Sequence, residues 1–187
     1  MADAGRVIAG TARGIRLEAP GPGTRPLADR VKQTLFAILE ADLADARVLD
    51  LFAGSGAAGI EALSRGAASV TFVEHDARAA KVIAANLARA GLDATNAEVI
   101  RDDALRWLRR ARAGAFDVVI VDPPYDRTDL LVQSLEAIAP LVAPGGRVVA
   151  KHFWRDAPPA TVGLLASERD RRFGETALKF YRRQEDR

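Results

Sequence analysis

Cysteine is absent from all 187 residues. That excludes disulfides, thiolate nucleophiles and cysteine-ligated zinc. Histidine occurs only as His75 and His152, too few and too separated for a metal site, and no metal is expected. No apolar run approaches the roughly 20 residues of a membrane span, and Met1 to Gly10 has no apolar core of signal-peptide length. A cytoplasmic location without membrane contact is therefore expected. Lysine is confined to Lys32, Lys81, Lys151 and Lys179, so arginine carries most of the positive charge. Linkers, repeats and low-complexity segments are also missing, and the chain reads as one domain over residues 1–187.

Hydrophobic residues make up 49% and charged residues 28%, as in a globular chain long enough to bury a full core. The net charge is only +2, but it is unevenly spread. Before residue 33, Arg6, Arg13, Arg16, Arg25, Arg30 and Lys32 face only Asp3, Glu18 and Asp29. A second cluster comprises Arg101, Arg106, Arg109, Arg110 and Arg112. Arginine suits phosphate forks and base stacking, so a weakly polarised surface for nucleic acid is plausible, although base usage in the genome could produce the same composition.

From residue 46, short apolar runs alternate with helical stretches. Strands are predicted at 47–51, 70–74, 97–100, 116–121 and 147–150, and helices at 57–65, 77–90, 104–111 and 129–141, the last stopped by Pro144 and Gly145-Gly146. Strict alternation implies a mostly parallel α/β sheet covered on both faces. The ends break the rhythm. Residues 6–9 and 15–18 read as a hairpin and 28–41 as a helix, so residues 5–41 form an N-terminal hairpin-helix extension. A second hairpin, with strands at 162–165 and 177–181 flanking Gly174, appends antiparallel strands. Trp107 and Trp154 read as packing residues rather than base platforms.

Gly54-Ser55-Gly56-Ala57-Ala58-Gly59 places a G-x-G-x-x-G pattern between a strand and a helix, the context in which it binds an adenosine-containing cofactor. Glu74 ends the next strand, where a carboxylate can hold both ribose hydroxyls. No Lys-Ser or Lys-Thr closes the loop, which argues against a triphosphate site. NAD and S-adenosylmethionine both fit. Asp50, just before the glycines, favours the second, because a carboxylate attracts a sulfonium or ammonium and repels a pyrophosphate. Asp103 either accepts from the adenine amine or caps the helix from Ala104, and Asp102 beside it reads as solvent-facing. The expected cofactor contacts are Asp50, Ala53, Gly54, Gly56, Glu74, Asp103 and Ala104.

Asp122-Pro123-Pro124-Tyr125 follows the buried run Val118 to Val121. The Asp oxygens and a prolyl carbonyl accept hydrogen bonds, proline removes a donor, and the ring offers a stacking face. Such a corner suits an exocyclic amine; its structural alternative is a plain Pro-Pro turn. Asp122, Pro123 and Tyr125 are the expected catalytic residues, Asp122 and the Pro123 carbonyl holding the amine and Tyr125 stacking on the base.

Together these motifs resemble those of class I methyltransferases that use S-adenosylmethionine. More narrowly, the chain is similar to the RsmD family, bacterial enzymes that methylate guanine N2 in small-subunit ribosomal RNA. The likeness runs through Arg6 to Gly10, Arg13-Gly14, Arg25-Pro26, Asp29 to Phe36, Asp50 to Gly56, Glu61 to Gly66 and Asp122 to Tyr125. The chain departs from that family at Leu27-Ala28, where a hydroxyl-bearing pair often follows Arg-Pro, and at Lys151-His152, where an acidic residue commonly ends the fifth strand. The resemblance implies a Rossmann-like, seven-stranded, mostly parallel sheet with one antiparallel edge strand, plus the N-terminal β-hairpin. It also implies a monomer acting on 16S ribosomal RNA within the small subunit or its assembly intermediate. Arg13, Arg16, Arg25 and Arg30 are candidates for RNA phosphates. Alternatives are a DNA adenine-N6 or cytosine-N4 methyltransferase, for which 187 residues leave no obvious target-recognition domain, an NAD-dependent oxidoreductase, and a non-catalytic RNA-binding module.

Overall fold

The computed structural model describes residues 3–21, 27–92, 94–124 and 127–185. Strands β1 (Asp3–Arg6) and β2 (Arg16–Glu18) pair antiparallel, and helix α1 (Asp29–Leu43) follows. The alternating section runs β3 (Arg47–Leu51), α2 (Ala57–Ser64), β4 (Ser69–Glu74), α3 (Ala77–Arg89), β5 (Ala97–Arg101), α4 (Ala104–Leu108), β6 (Phe116–Val121), α5 (Thr128–Ile138) and β7 (Val142–Phe153). Three antiparallel strands close the fold: β8 (Thr161–Val162), β9 (Leu165–Phe173) and β10 (Thr176–Arg183). Among the described residues the main sheet has eight strands in the order β5-β4-β3-β6-β7-β10-β9-β8.

The sequence pattern explains the layers. Leu49, Leu51, Val73, Val119, Val121, Val148 and Ala150 point to one face, packed with α4 and α5. Their alternates Val48, Val70, Phe72, Val118, Ile120 and Val149 point to the other, packed with α1, α2 and α3. The period-two geometry of a strand produces this division. Asp50, Glu74, Asp122 and Lys151 continue the second set in step, so they share the α1–α3 face. Helix starts are capped where the sequence supplies an acceptor: Asp76 accepts from Ala79 N at 2.7 Å and Asp103 from Arg106 N at 2.9 Å.

Four expectations need correction. Eight strands replace the expected seven, and the strand antiparallel to the parallel set, β10, lies inside the sheet between β7 and β9 rather than at its edge. The reading of 162–165 missed β9, because Ser167 to Arg172 lacks apolar alternation and pairs with β10 through backbone hydrogen bonds. The fifth parallel strand is longer than 147–150, beginning at Val142 and passing through Pro144-Gly145-Gly146 with a register shift against β6. A Cβ on Gly146 would lie 2.8 Å from the Asp117 carbonyl oxygen, which is why the segment carries glycine there. The first hairpin spans Asp3–Arg6 instead of 6–9: Val7 still pairs with Ile15, but Ile8 N and Ala9 N turn away to Glu61 at 2.7 and 3.0 Å.

That carboxylate docks the extension. Glu61 is fully buried in α2 and also receives Arg65 Nε at 2.8 Å. One turn on, Ser64 Oγ donates to the Ala9 carbonyl at 2.6 Å and accepts from Ala12 N at 2.9 Å. Gly10 lies over Ser64 so closely that a Cβ would fall 1.7 Å from the Ser64 carbonyl oxygen, and its φ is +82°. Gly10→Ala is therefore expected to cost about 3 kcal/mol or more. A fall in thermal midpoint of roughly 5–10 °C is the measurement that checks it, and an unchanged midpoint would show that the extension does not depend on this approach.

Candidate active site

The strand order reverses between β3 and β6, since the chain leaves β3 toward β4 and β5 and later returns on β3's other side. A crevice opens at such a switch point beyond the carboxyl ends of parallel strands. Here it is a cavity of about 810 Å³. Asp50, Glu74, Asp122 and Lys151 form its floor; Phe52, Ala53, Gly54 and Ser55 form one wall, and Pro123 and Pro124 another.

Each acid has a defined partner. Asp50, 2% exposed, accepts from Gly59 N at 2.9 Å. Burial raises its carboxyl pKa to about 7, outweighing the Gly59 hydrogen bond, and the Asp122 and Glu74 charges push the same way. Glu74 accepts from Gly54 N and Asp76 N, both at 2.9 Å, and His75 Nδ1 lies 3.1 Å from it. Asp122 extends β6, its N–H donating to the Leu51 carbonyl at 3.3 Å. Burial also raises the Asp122 carboxyl pKa, opposed by Lys151, whose Nζ lies 2.5 Å from Oδ1.

The glycines divide their work. Gly54, at φ +56°, has open space where a side chain would project, leaving the backbone bare to a ligand. Gly56 does not line the cavity; a Cβ there would press on Ile83 at 3.1 Å, so it seats the loop on α3. Phe52 adopts φ +64°, a rare conformation for a bulky side chain and a form of strain that collects at functional sites.

The structure brings Asp50, Ala53, Gly54, Glu74, Asp122 and Pro123 together as expected from the sequence. It does not bring in Asp103 and Ala104: neither lines the cavity, and the Asp103 carboxylate is occupied as the cap of α4. Asp102 is not solvent-facing but buried beneath Arg106 and Arg110, which tie down part of the second arginine cluster. Tyr125 and Arg25 lie outside the described residues. Arg13 lines a separate small cavity with Arg6 and Gln33, Arg16 pairs with Asp3 at 2.6 Å, and Arg30 is exposed at the start of α1.

Sequence reasoning missed three contributors. Lys151 was visible as an oddity, and counting two residues past Val149 would have aimed it at the site. Pro20, Gly21 and Leu27 of the extension complete the cavity wall, which no local pattern announces. Asn86, fully buried on α3, accepts from Glu18 N and donates to the carbonyls of Glu18 and Ser55, each at 2.9 Å, joining the extension to the glycine loop.

These residues fit a cationic, adenosine-bearing cofactor. The cavity lies within the range of cofactor sites, three carboxylates offset a sulfonium and an ammonium, and the bare Gly54 backbone lies against Glu74. The fold and site together define an S-adenosylmethionine-dependent methyltransferase. The chain belongs to the family described as "Conserved hypothetical protein 95", whose match spans residues 5–182. It is 37% identical to "Putative rRNA methyltransferase YlbH" of Bacillus subtilis, over 95% of this chain and 98% of that protein. It is 35% identical to "Ribosomal RNA small subunit methyltransferase D" of Escherichia coli K12, over 96% and 90%. A solved structure, "Putative methyltransferase yhhF from Escherichia coli", superposes with a TM-score of 0.85 at 34% identity, covering 96% of this chain and 97% of that one.

Glu74→Ala is expected to weaken S-adenosylmethionine binding about tenfold or more by calorimetry, since hydrogen bonds to a charged group are lost. Unchanged affinity would remove the carboxylate from the cofactor site.

Proposed function

We propose that this protein methylates the exocyclic N2 of a guanine in 16S ribosomal RNA. In this reading it works as a cytoplasmic monomer on the small ribosomal subunit or its assembly intermediate. The observation that carries the reading is the position of Asp122-Pro123-Pro124 across the switch-point cavity from Gly54 and Glu74. One crevice thereby holds a cofactor cradle and an acceptor-rich corner. The names borne by relatives over nearly the whole chain support ribosomal RNA of the small subunit as the substrate.

S-adenosylmethionine, when bound, supplies an activated methyl group on a sulfonium. The chain's own residues supply position and electrostatics. An exocyclic guanine amine is a poor nucleophile because its lone pair is delocalised into the ring. Asp122 and the Pro123 carbonyl accept its two hydrogens, favour a pyramidal nitrogen, and stabilise positive charge there as the nitrogen–methyl bond forms and the methyl–sulfur bond breaks; one of the two protons then passes to solvent, leaving the methylated amine neutral. Pro123 and Pro124 offer no amide donor to compete for those acceptors. In the same reading Tyr125 stacks on the base, which must leave its own stack to reach the corner.

RNA contacts are proposed at both ends of the chain. Arg13, Arg16, Arg25 and Arg30 belong to the extension that walls the cavity. At the other end, Trp154 is half-buried, with Arg172 3.6 Å from the ring centroid and Arg155 at 4.8 Å. Trp107, by contrast, is buried against Phe116 as a packing residue. Trp154 N–H donates to the Glu175 carbonyl at 3.0 Å, fastening the β9–β10 turn to the edge where Lys151 lies. A guanidinium held flat on an indole presents a plane to a base and a fork to a phosphate.

Two outcomes test this reading. Asp122→Ala is expected to lower methyl transfer about a hundredfold or more while S-adenosylmethionine affinity stays within a few fold. The assay is tritiated-methyl transfer to small subunits, naked ribosomal RNA and DNA, followed by nucleoside mass spectrometry; near-normal turnover, or label in DNA alone, sinks the proposal. Arg172→Glu is expected to weaken RNA binding and flatten its dependence on log salt by about one unit, with cofactor affinity unchanged. An unaltered salt slope would take the β9–β10 turn out of the RNA surface.

A further inference from the structure

Among the described residues, Lys151 is the one cation in the cavity floor, and its place there is built rather than incidental. On β7 it follows Ala150, which lies opposite Val121, so it stands beside Asp122 at the next step of the parallel register. Its side chain is only 9% exposed and that of Asp122 only 22%. A lysine in such a position gives up water and rotamer freedom, and the Asp122 carboxylate is the partner that offsets the loss.

We propose that Lys151 is the positioning residue for Asp122: its ammonium pins Oδ1 and presents the other carboxylate oxygen, together with the Pro123 carbonyl, to the target amine. The inference rests on the methyltransferase reading and adds to it a residue that acts through Asp122 without touching substrate. It gives the corner a polarity. With Oδ1 committed to the ammonium, one amine hydrogen goes to Oδ2 and the other to the prolyl carbonyl, so the nitrogen is gripped in a single orientation. The carboxylate can neither swing toward Asp50 nor share a proton with it.

The arrangement carries a pH signature. Among the described residues, the charged groups facing Asp122 are Asp50 from β3, Glu74 from β4 and Lys151 from β7, with His75, Asp76 and Arg78 further along the β4 side of the wall. The described residues of the extension that line the cavity, Ala19, Pro20, Gly21 and Leu27, are uncharged, as are Ala57 and Ala58 from α2. Burial drives Asp122 toward its neutral form and Lys151 opposes it. Removing the ammonium leaves burial unopposed, so the carboxylate protonates at higher pH and the acid limb of activity moves upward.

The test compares the native chain with K151M, K151Q and K151R. Carbon-13 NMR of the Asp122 carboxyl is expected to show protonation at higher pH in K151M and K151Q, and near-native titration in K151R. In kcat/KM profiles, K151M and K151Q are expected to lose about tenfold more activity than K151R between pH 8 and pH 6. Should K151M fail to fold, the K151Q and K151R titrations decide. Superimposable Asp122 titrations in the native chain and every folded variant would overturn the proposal. The NMR measurement needs neither RNA nor cofactor, so a failure to find methyl transfer would count against the proposed function while leaving this inference separately judged.

Discussion

Like charges crowded into one crevice and largely buried are the constraint around which this protein is organised. Parallel strands end in one row, and where their order reverses no helix covers that row. Asp50, Glu74 and Asp122 all reach this place on the same face, and carboxylates removed from water are costly unless each is hydrogen-bonded or neutralised. The chain meets the cost differently at each acid. Gly59 N serves Asp50, Gly54 N and Asp76 N serve Glu74, and Lys151 serves Asp122. Backbone donors alone leave Asp50 with a pKa of about 7. A cavity so lined favours a cationic ligand, because an incoming positive charge relieves the repulsion that folding created.

The N-terminal extension is held by the same kind of interaction. Glu61 is buried, and two backbone N–H groups of the extension join Arg65 in satisfying it. Glycine at position 10 permits the approach to Ser64 that completes the contact. Asn86 then links Glu18 to Ser55, so the arginine-bearing extension shares hydrogen bonds with the glycine loop that walls the cavity. Extension and cavity wall are parts of one packed unit, not neighbours joined by a tether.

Much of this was legible before any coordinates. Apolar runs of strand length alternating with helical periods predicted five parallel strands and their helices, with boundaries mostly within a residue or two. Gly54, Glu74 and Asp122 were found because each sits at a strand end beside residues with strong local preferences. Reading failed where local signals were weak or shared. Ser167 to Arg172 looks like solvated coil, yet β10 gives its backbone a ladder to join. Asp103 satisfies two motifs at once, and the helix cap is the one the structure displays. Asp102 looked exposed because two arginines that cover it lie four and eight residues further along the chain.

The sequence by itself determined the order of elements, the faces of each strand and the chemical types available at the strand ends, since these follow from period, propensity and turn chemistry within a few residues. Tertiary structure alone decided which of those ends meet. The register of β6 and β7 sets Lys151, a departure without a local explanation, against Asp122, and β9 supplies the arginine, Arg172, that packs over Trp154. The physical reason is range. Hydrogen-bond ladders and van der Waals packing act over a few ångströms, and only the assembled sheet brings residues dozens of positions apart within that distance.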